Sequence, residues 1–231
     1  MRDFFSLDGS FSRYGTMIAD ALILSLMWLV FSAPIITAGA ATSAMFYVST
    51  RRIADREGYI TSDFWSAFKT NFLKATGLWL IVLLVGALLS FNVWMMIADA
   101  MVNEDVSLFS GIVFMAQLIF LLQLSFITVF LFPLNARFEM GVLQTIKNAF
   151  FMANRHMLTS FLCTLLVFGL IFGGLMTGGL LLVFAPGIYA LLASYMLMKI
   201  FKRYRPEMDK DPRLEIAEFE AERDAKRREE D

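Results

Sequence analysis

The run Gly77 to Ala98, GLWLIVLLVGALLSFNVWMMIA, contains no charged residue. A helix crossing a hydrocarbon core of about 30 Å needs about 20 mostly apolar residues, so this run is long enough to cross. Trp79 and Trp94 stand near its ends, where indole rings suit the membrane–water interface. Ser110 to Leu131, SGIVFMAQLIFLLQLSFITVFL, is a second such run and is followed by Pro133, which we read as its end. Hydrophobic residues reach 58% of the chain, against roughly 45–50% in soluble domains. Mean hydropathy is +0.64. Of the 41 charged residues, 21 lie between Lys199 and Asp231, so the body is more apolar than the average implies.

Met157 to Met198 is broken only by GGLMTGG, Gly173 to Gly179. As one helix it would measure about 63 Å, twice the bilayer core. Two spans joined by a tight glycine turn are therefore expected. The first apolar region, Gly15 to Val48, contains one span to Ala33 with Trp28 in its second half. Pro34 then removes an amide donor and biases Ala33 away from helix. The remainder, TAGAATSAMFYV, is rich in small residues and too short for a full return span. Broken backbone in lipid is tolerated only against protein or water, so residues 34–48 are expected inside the bundle.

The expected fold class is an all-α, polytopic transmembrane helix bundle. About five spans lie near 15–33, 77–98, 110–131, 157–174 and 179–198, with a broken or re-entrant segment at 34–48. Residues 1–205 form one membrane domain and 206–231 a charged cytoplasmic tail, partly helical by its spacing of opposite charges. Arg51, Arg52, Arg56, Lys69 and Lys74, then Arg137, Lys147 and Arg155, then Lys199, Lys202, Arg203 and Arg205 mark three cytoplasmic segments. Asp99 to Phe109 and the glycine turn lack basic residues and belong outside. The side of the N-terminus depends on whether 34–48 re-enters or completes a crossing. An A-x-A stretch, Ala38 to Ala40, resembles a signal-peptidase site, but the preceding apolar run exceeds the usual 7–15 residues, so an intact N-terminus is expected.

Two amphipathic stretches precede apolar hairpins: Phe64 to Leu80 and Leu143 to Phe161. An offset of 78 aligns Lys69 with Lys147, Phe72 with Phe150 and Ala75 with Ala153. Such stretches suit the interface and suggest a parallel repeat. Within the spans, Gln117, Gln123 and Asn92 are read as interhelical hydrogen-bond glue. Asp20 is the one carboxylate inside a span, a functional hypothesis by default.

Catalytic chemistry is not indicated. The chain has one histidine and one cysteine, which leaves no zinc-type ligand set. It has no phosphate-cradling GxxxxGK[ST] loop. No cofactor, metal or catalytic residue is assigned, and a net charge of −1 points to no nucleic-acid partner.

The stretch FFSLDGSFSRYGTMIADALILSLMWLVFSAPIITAGAATSAMFYV, followed by DFWSAFKTNFLKATGLWL, resembles the YesL-like bacterial membrane proteins, a family of unknown function. The motif residues here are Pro34, Thr37, Gly39 and Ala40, then Phe68, Lys69, Asn71 and Phe72. FPLNARFEMGVLQTIKNAFFMA is similar to the family's second half, so the resemblance covers roughly residues 1–205. The family often has an Asn in the first helix near Ser25, which this chain lacks. The resemblance implies a multi-pass protein of the bacterial plasma membrane, often encoded beside carbohydrate ABC transporters and sugar-responsive regulators. It implies no catalytic residue.

These readings lead to two functional expectations. One is an accessory or scaffolding protein of a carbohydrate uptake or sensing system, in contact with the lipid bilayer, with ABC-transporter or sensor subunits, or with further copies of itself. The other is a small transporter or channel whose path is lined by Pro34 to Ala44.

Overall fold

Proline and glycine punctuate this chain, and its helices break where those residues, or a capping side chain, give the freed backbone a partner. The structure, a computed structural model, describes residues 10–53, 59–102 and 107–204; the side chains of residues 10–18 and of residue 180 are outside that description. The charged tail and the charges at Arg2, Asp3, Asp8, Arg56, Glu104 and Asp105 also lie outside the described residues.

Seven α-helices and one 3₁₀ turn make up the described chain: α1 (Ser10–Ser32), the 3₁₀ turn (Ile35–Thr37), α2 (Ala38–Ile53), α3 (Ile60–Val102), α4 (Leu108–Arg137), α5 (Val142–Arg155), α6 (Met157–Met176) and α7 (Leu180–Tyr204). The helices α3, α4 and α6, together with α7 from Leu181 on, are long and apolar enough to cross a membrane. Their apolar windows are largely uncovered by the rest of the chain. Leu84, Leu88, Phe91, Ile119, Phe120, Phe168 and Phe172 are all exposed, as side chains solvated by lipid must be. The protein is thus a polytopic helical membrane bundle.

Five spans were expected; four helices have the length and hydropathy of a crossing, and α1, Ser10–Ser32, has 23 residues, about 35 Å. The break at Pro34 falls where expected, and α2 then runs back against α1 for 16 residues, about 24 Å. Trp28 Nε1 donates to Thr42 Oγ1 at 3.0 Å near the turn, and Arg52 meets Asp20 at the far end. α1 and α2 therefore form an antiparallel hairpin.

The amphipathic lead-in and the span 77–98 form one uninterrupted helix, α3, of 43 residues, about 65 Å long. No proline stands between them, and Gly77 sits in the helix with open space around it. The matching lead-in, α5, is by contrast a separate helix. It ends at His156, whose backbone (φ −117°, ψ 49°) leaves the helical region. Ser160 is fully buried at this joint, and its Oγ donates to Ala153 O at 3.0 Å. The proposed repeat keeps its buried register in part: Ala75 and Ala153 are both fully buried, and so is Thr145 opposite the buried Ala67.

Pro133 does not end α4, which continues to Arg137. The proline lacks the donor for Val129 O, but the last turn is held by its surroundings. Leu134, Asn135 and Ala136 are buried, and Asn135 Nδ2 donates to Ser43 Oγ in α2 at 3.0 Å. The turn between α6 and α7 is the expected glycine turn. Gly178 (φ 64°) and Gly179 (φ 92°) occupy left-handed backbone that residues with a Cβ avoid.

The chain divides into two compact units, residues 1–195 and 196–231. In the second, the described part is the end of α7, whose last turn carries Lys202 and Arg203.

Candidate functional site

Three carbonyls around the break at Pro34 define the best-organised polar feature of the first unit; two of them, Pro34 O and Ile35 O, also accept the backbone N–H of Thr37 and of Ala38. Thr37 Oγ1 lies 2.7 Å from Phe31 O and 2.8 Å from Pro34 O, so its hydroxyl caps the end of α1. Trp79 Nε1, from α3, donates to Ile35 O at 2.7 Å. Backbone in lipid must find such partners within the protein. The turn nevertheless presents apolar side chains outward, with Ile35 69% and Ile36 58% exposed. A capped backbone beneath exposed isoleucines is what an apolar surrounding requires.

Small residues then let α2 sit in the middle of the helices. Gly39, Ala40, Ala41, Ser43 and Ala44 are all buried, and α2 packs on α1, α3 and α4. At Gly39 there is no room for a methyl group: a Cβ would strike Trp79 Cβ and lie 2.7 Å from Ala75 O. Helices in lipid gain little from hydrophobic expulsion, so close backbone approach of this kind supplies much of their association.

The second motif completes the same unit. Phe31, the residue whose carbonyl Thr37 caps, has its ring 5.6 Å from Phe64, 5.4 Å from Trp65 and 5.0 Å from Phe68. Phe72 meets Phe68 edge-on at 5.4 Å. Pro34, Thr37, Gly39, Ala40, Phe68 and Phe72 thus belong to one packed assembly of hairpin and α3. Lys69 and Asn71 stay at its outside. Lys69 Nζ lies 5.2 Å from the Trp65 ring centre, and Asn71 Nδ2 donates to its own helix at Ala67 O.

Asp20 is apart from this assembly, at the open end of the hairpin. Arg52 Nη2 donates to Asp20 Oδ1 at 3.1 Å, with Arg52 Nε 3.1 Å from Oδ2. Arg51, beside it, pairs with Asp63 of α3 at 3.2 Å. The Asp20 carboxylate thus closes the hairpin onto a basic helix end.

Several participants were not singled out in the sequence. Ser25 is fully buried; its Oγ donates to Phe184 O (3.0 Å) and accepts from Gly187 N (2.8 Å). It bridges α7 beside Pro186, which has no amide hydrogen of its own. A Cβ on Gly187 would strike Ala21 O and lie 2.6 Å from Ser25 Oγ. The chain's Ser stands near the position where the YesL-like family often has Asn, and here its hydroxyl acts as both donor and acceptor. Gln117 Oε1 and Gln123 Nε2 are shielded and have no hydrogen-bond partner among the described residues. Trp79, expected as an interfacial anchor, donates to the hairpin turn at Ile35 O.

The profile of a family described as "Protein of unknown function, DUF624" matches residues 21–93. YesL-like families carry this domain, so the match agrees with the resemblance at that level. It begins in α1 and ends in α3, and so encloses the hairpin, its capped turn and the aromatic cluster. No curated protein and no solved structure matches the chain. Among the described residues, no group of His, Cys, Asp or Glu is placed to hold a metal ion.

Proposed function

We propose that this protein is a non-catalytic accessory or scaffolding component of a bacterial plasma-membrane system for carbohydrate uptake or sensing, and that it works by presenting a rigid helical surface to partner subunits. The observation that carries this reading is the close packing of the Gly39–Ala44 stretch behind the capped turn. Gly39 lies against α3 backbone, Thr37 caps α1, and Ala40, Ala41 and Ala44 are buried. A segment packed in that way positions helices and does not line a path. The broad exposed faces of α3, α4 and α6 supply surface for lipid and partner helices. The carbohydrate context comes from the resemblance to YesL-like proteins alone.

Affinity purification of the full chain from its native membranes, followed by identification of co-purifying proteins, tests the proposal. Transporter or sensor subunits are expected. Recovery without any such subunit removes its main support. Sugar or ion flux through liposomes containing only this protein, abolished by Thr37→Val, would establish the transporter alternative in its place.

A further inference from the structure

The α1–α2 hairpin packs on the first half of α3. Arg51 of α2 pairs with Asp63, and the Phe31 ring of α1 packs on Phe64, Trp65 and Phe68. Further along, Gly39 lies against Ala75 and Trp79. At the apex, Ile35 O accepts from Trp79 Nε1. Burial along α3 follows the same boundary: its buried residues run from Ile60 to Leu78, and none follows. The apolar window of the helix is 0% buried.

Past Trp79 the uncharged run continues for 19 residues to Ala98, about 28 Å. That is nearly the full thickness of a hydrocarbon core. While α3 crosses, the hairpin apex therefore stops close to where the crossing begins. The other end of the hairpin is fixed as firmly. Asp20 meets Arg52, and Arg51 beside it meets Asp63, so one end of α1, the end of α2 and the start of α3 lie together. From Asp20 the α1 backbone runs on, away from the apex, to Ser10, about 15 Å further. At the apex, exposed Ile35 and Ile36 stand over carbonyls that already have donors, the form a turn needs if it stays in lipid.

We infer that the α1–α2 hairpin is re-entrant: it enters the bilayer from the side on which α3 begins, turns back at Pro34 and returns to that side. The start of α1 then lies on the same side as Tyr59, and α1 is not a crossing. Its 23 residues are long enough for one, but its pairing with α2 and with the first half of α3 holds it short of the far face. The accessory reading stands or falls separately, because the hairpin's path through lipid names no partner.

Sidedness in whole cells tests this, with Tyr59→Cys and Met101→Cys in a Cys163→Ala background as the references for the two faces. An epitope fused to the start of the full chain is expected to be reached by its antibody from the Tyr59 side. Detection from the Met101 side overturns the inference. Ile36→Cys, at an exposed position, is expected not to react with a membrane-impermeant maleimide supplied on the Met101 side. Reaction there would carry the apex across and overturn the inference equally. A distance measurement answers even where lipid shelters the thiol. Nitroxides on Ile36→Cys and Met101→Cys of one chain in lipid vesicles should stand about 33 Å apart, the rise of α3 from Trp79 to Met101. A separation of half that or less would put the apex beside the far end of α3, and the hairpin would then cross.

Discussion

Gly39 shows how much a single position constrains this protein. Its missing Cβ is what allows α2 to reach the Ala75 carbonyl and the Trp79 side chain. Gly39→Ala is expected to destabilise the bundle by about 1–3 kcal/mol, the usual range for overpacking a closed contact. Reversible unfolding in mixed detergent micelles measures this, and wild-type stability in that variant would show that the helices can separate freely there. Thr37 is a gentler case, since only its hydroxyl is at issue. Thr37→Val keeps the shape and removes the side-chain donor to Phe31 O, while Pro34 O keeps the Thr37 N–H, so a loss of about 1–3 kcal/mol is expected, with Thr37→Ser close to wild type. Equal losses in Val and Ser would assign the effect to the methyl group. Both residues were visible in the sequence as part of a motif, but their tasks were not. A motif records which residues occur together, whereas the capping of Phe31 O and the contact with Trp79 depend on where α3 is placed. Ser25 was marked only as the place near which the YesL-like family often has Asn, and its task was hidden because its partners, Phe184 and Gly187, are about 160 positions away.

At the scale of elements, hydropathy alone located the four long apolar helices, because each must cover a fixed thickness of lipid. Pro34 and the glycine pair 178–179 marked real breaks. Pro133 did not, because proline only removes one bond, and the buried Asn135–Ser43 contact keeps the following turn in place. Nor did proline or glycine foretell the joint at His156, where the buried Ser160 hydroxyl ties α6 back to α5. The α1–α2 hairpin carries a further expectation. Its open end is held by Asp20 and Arg52, the latter partly exposed, so the pair is worth no more than about 0–1 kcal/mol. A double-mutant cycle with Asp20→Asn and Arg52→Gln should give a coupling of that size. Transport activity lost in Asp20→Asn without loss of stability would instead return Asp20 to a functional role.

For the whole molecule, the lipid-facing surface and the distribution of charge have to agree on one insertion. Arg51 and Arg52 end α2, Arg137 ends α4 and Arg155 ends α5. α3 starts next to Arg51, through Asp63, and runs away from it. Its far end, carrying Asp99, meets the start of α4 around Met95, Met101, Phe109 and Phe114. The two ends of the α3–α4 hairpin thus differ in sign, and basic ends stay cytoplasmic. With Cys163→Ala as background, Met101→Cys should react with a membrane-impermeant maleimide added to intact cells, whereas Tyr59→Cys should react only after permeabilisation. Both residues are well exposed, so a difference between them reports sidedness and not burial. The reverse pattern would invert the molecule. Reaction of both from outside would mean that α3 does not cross, which would contradict the central reading of an apolar run of 22 uncharged residues.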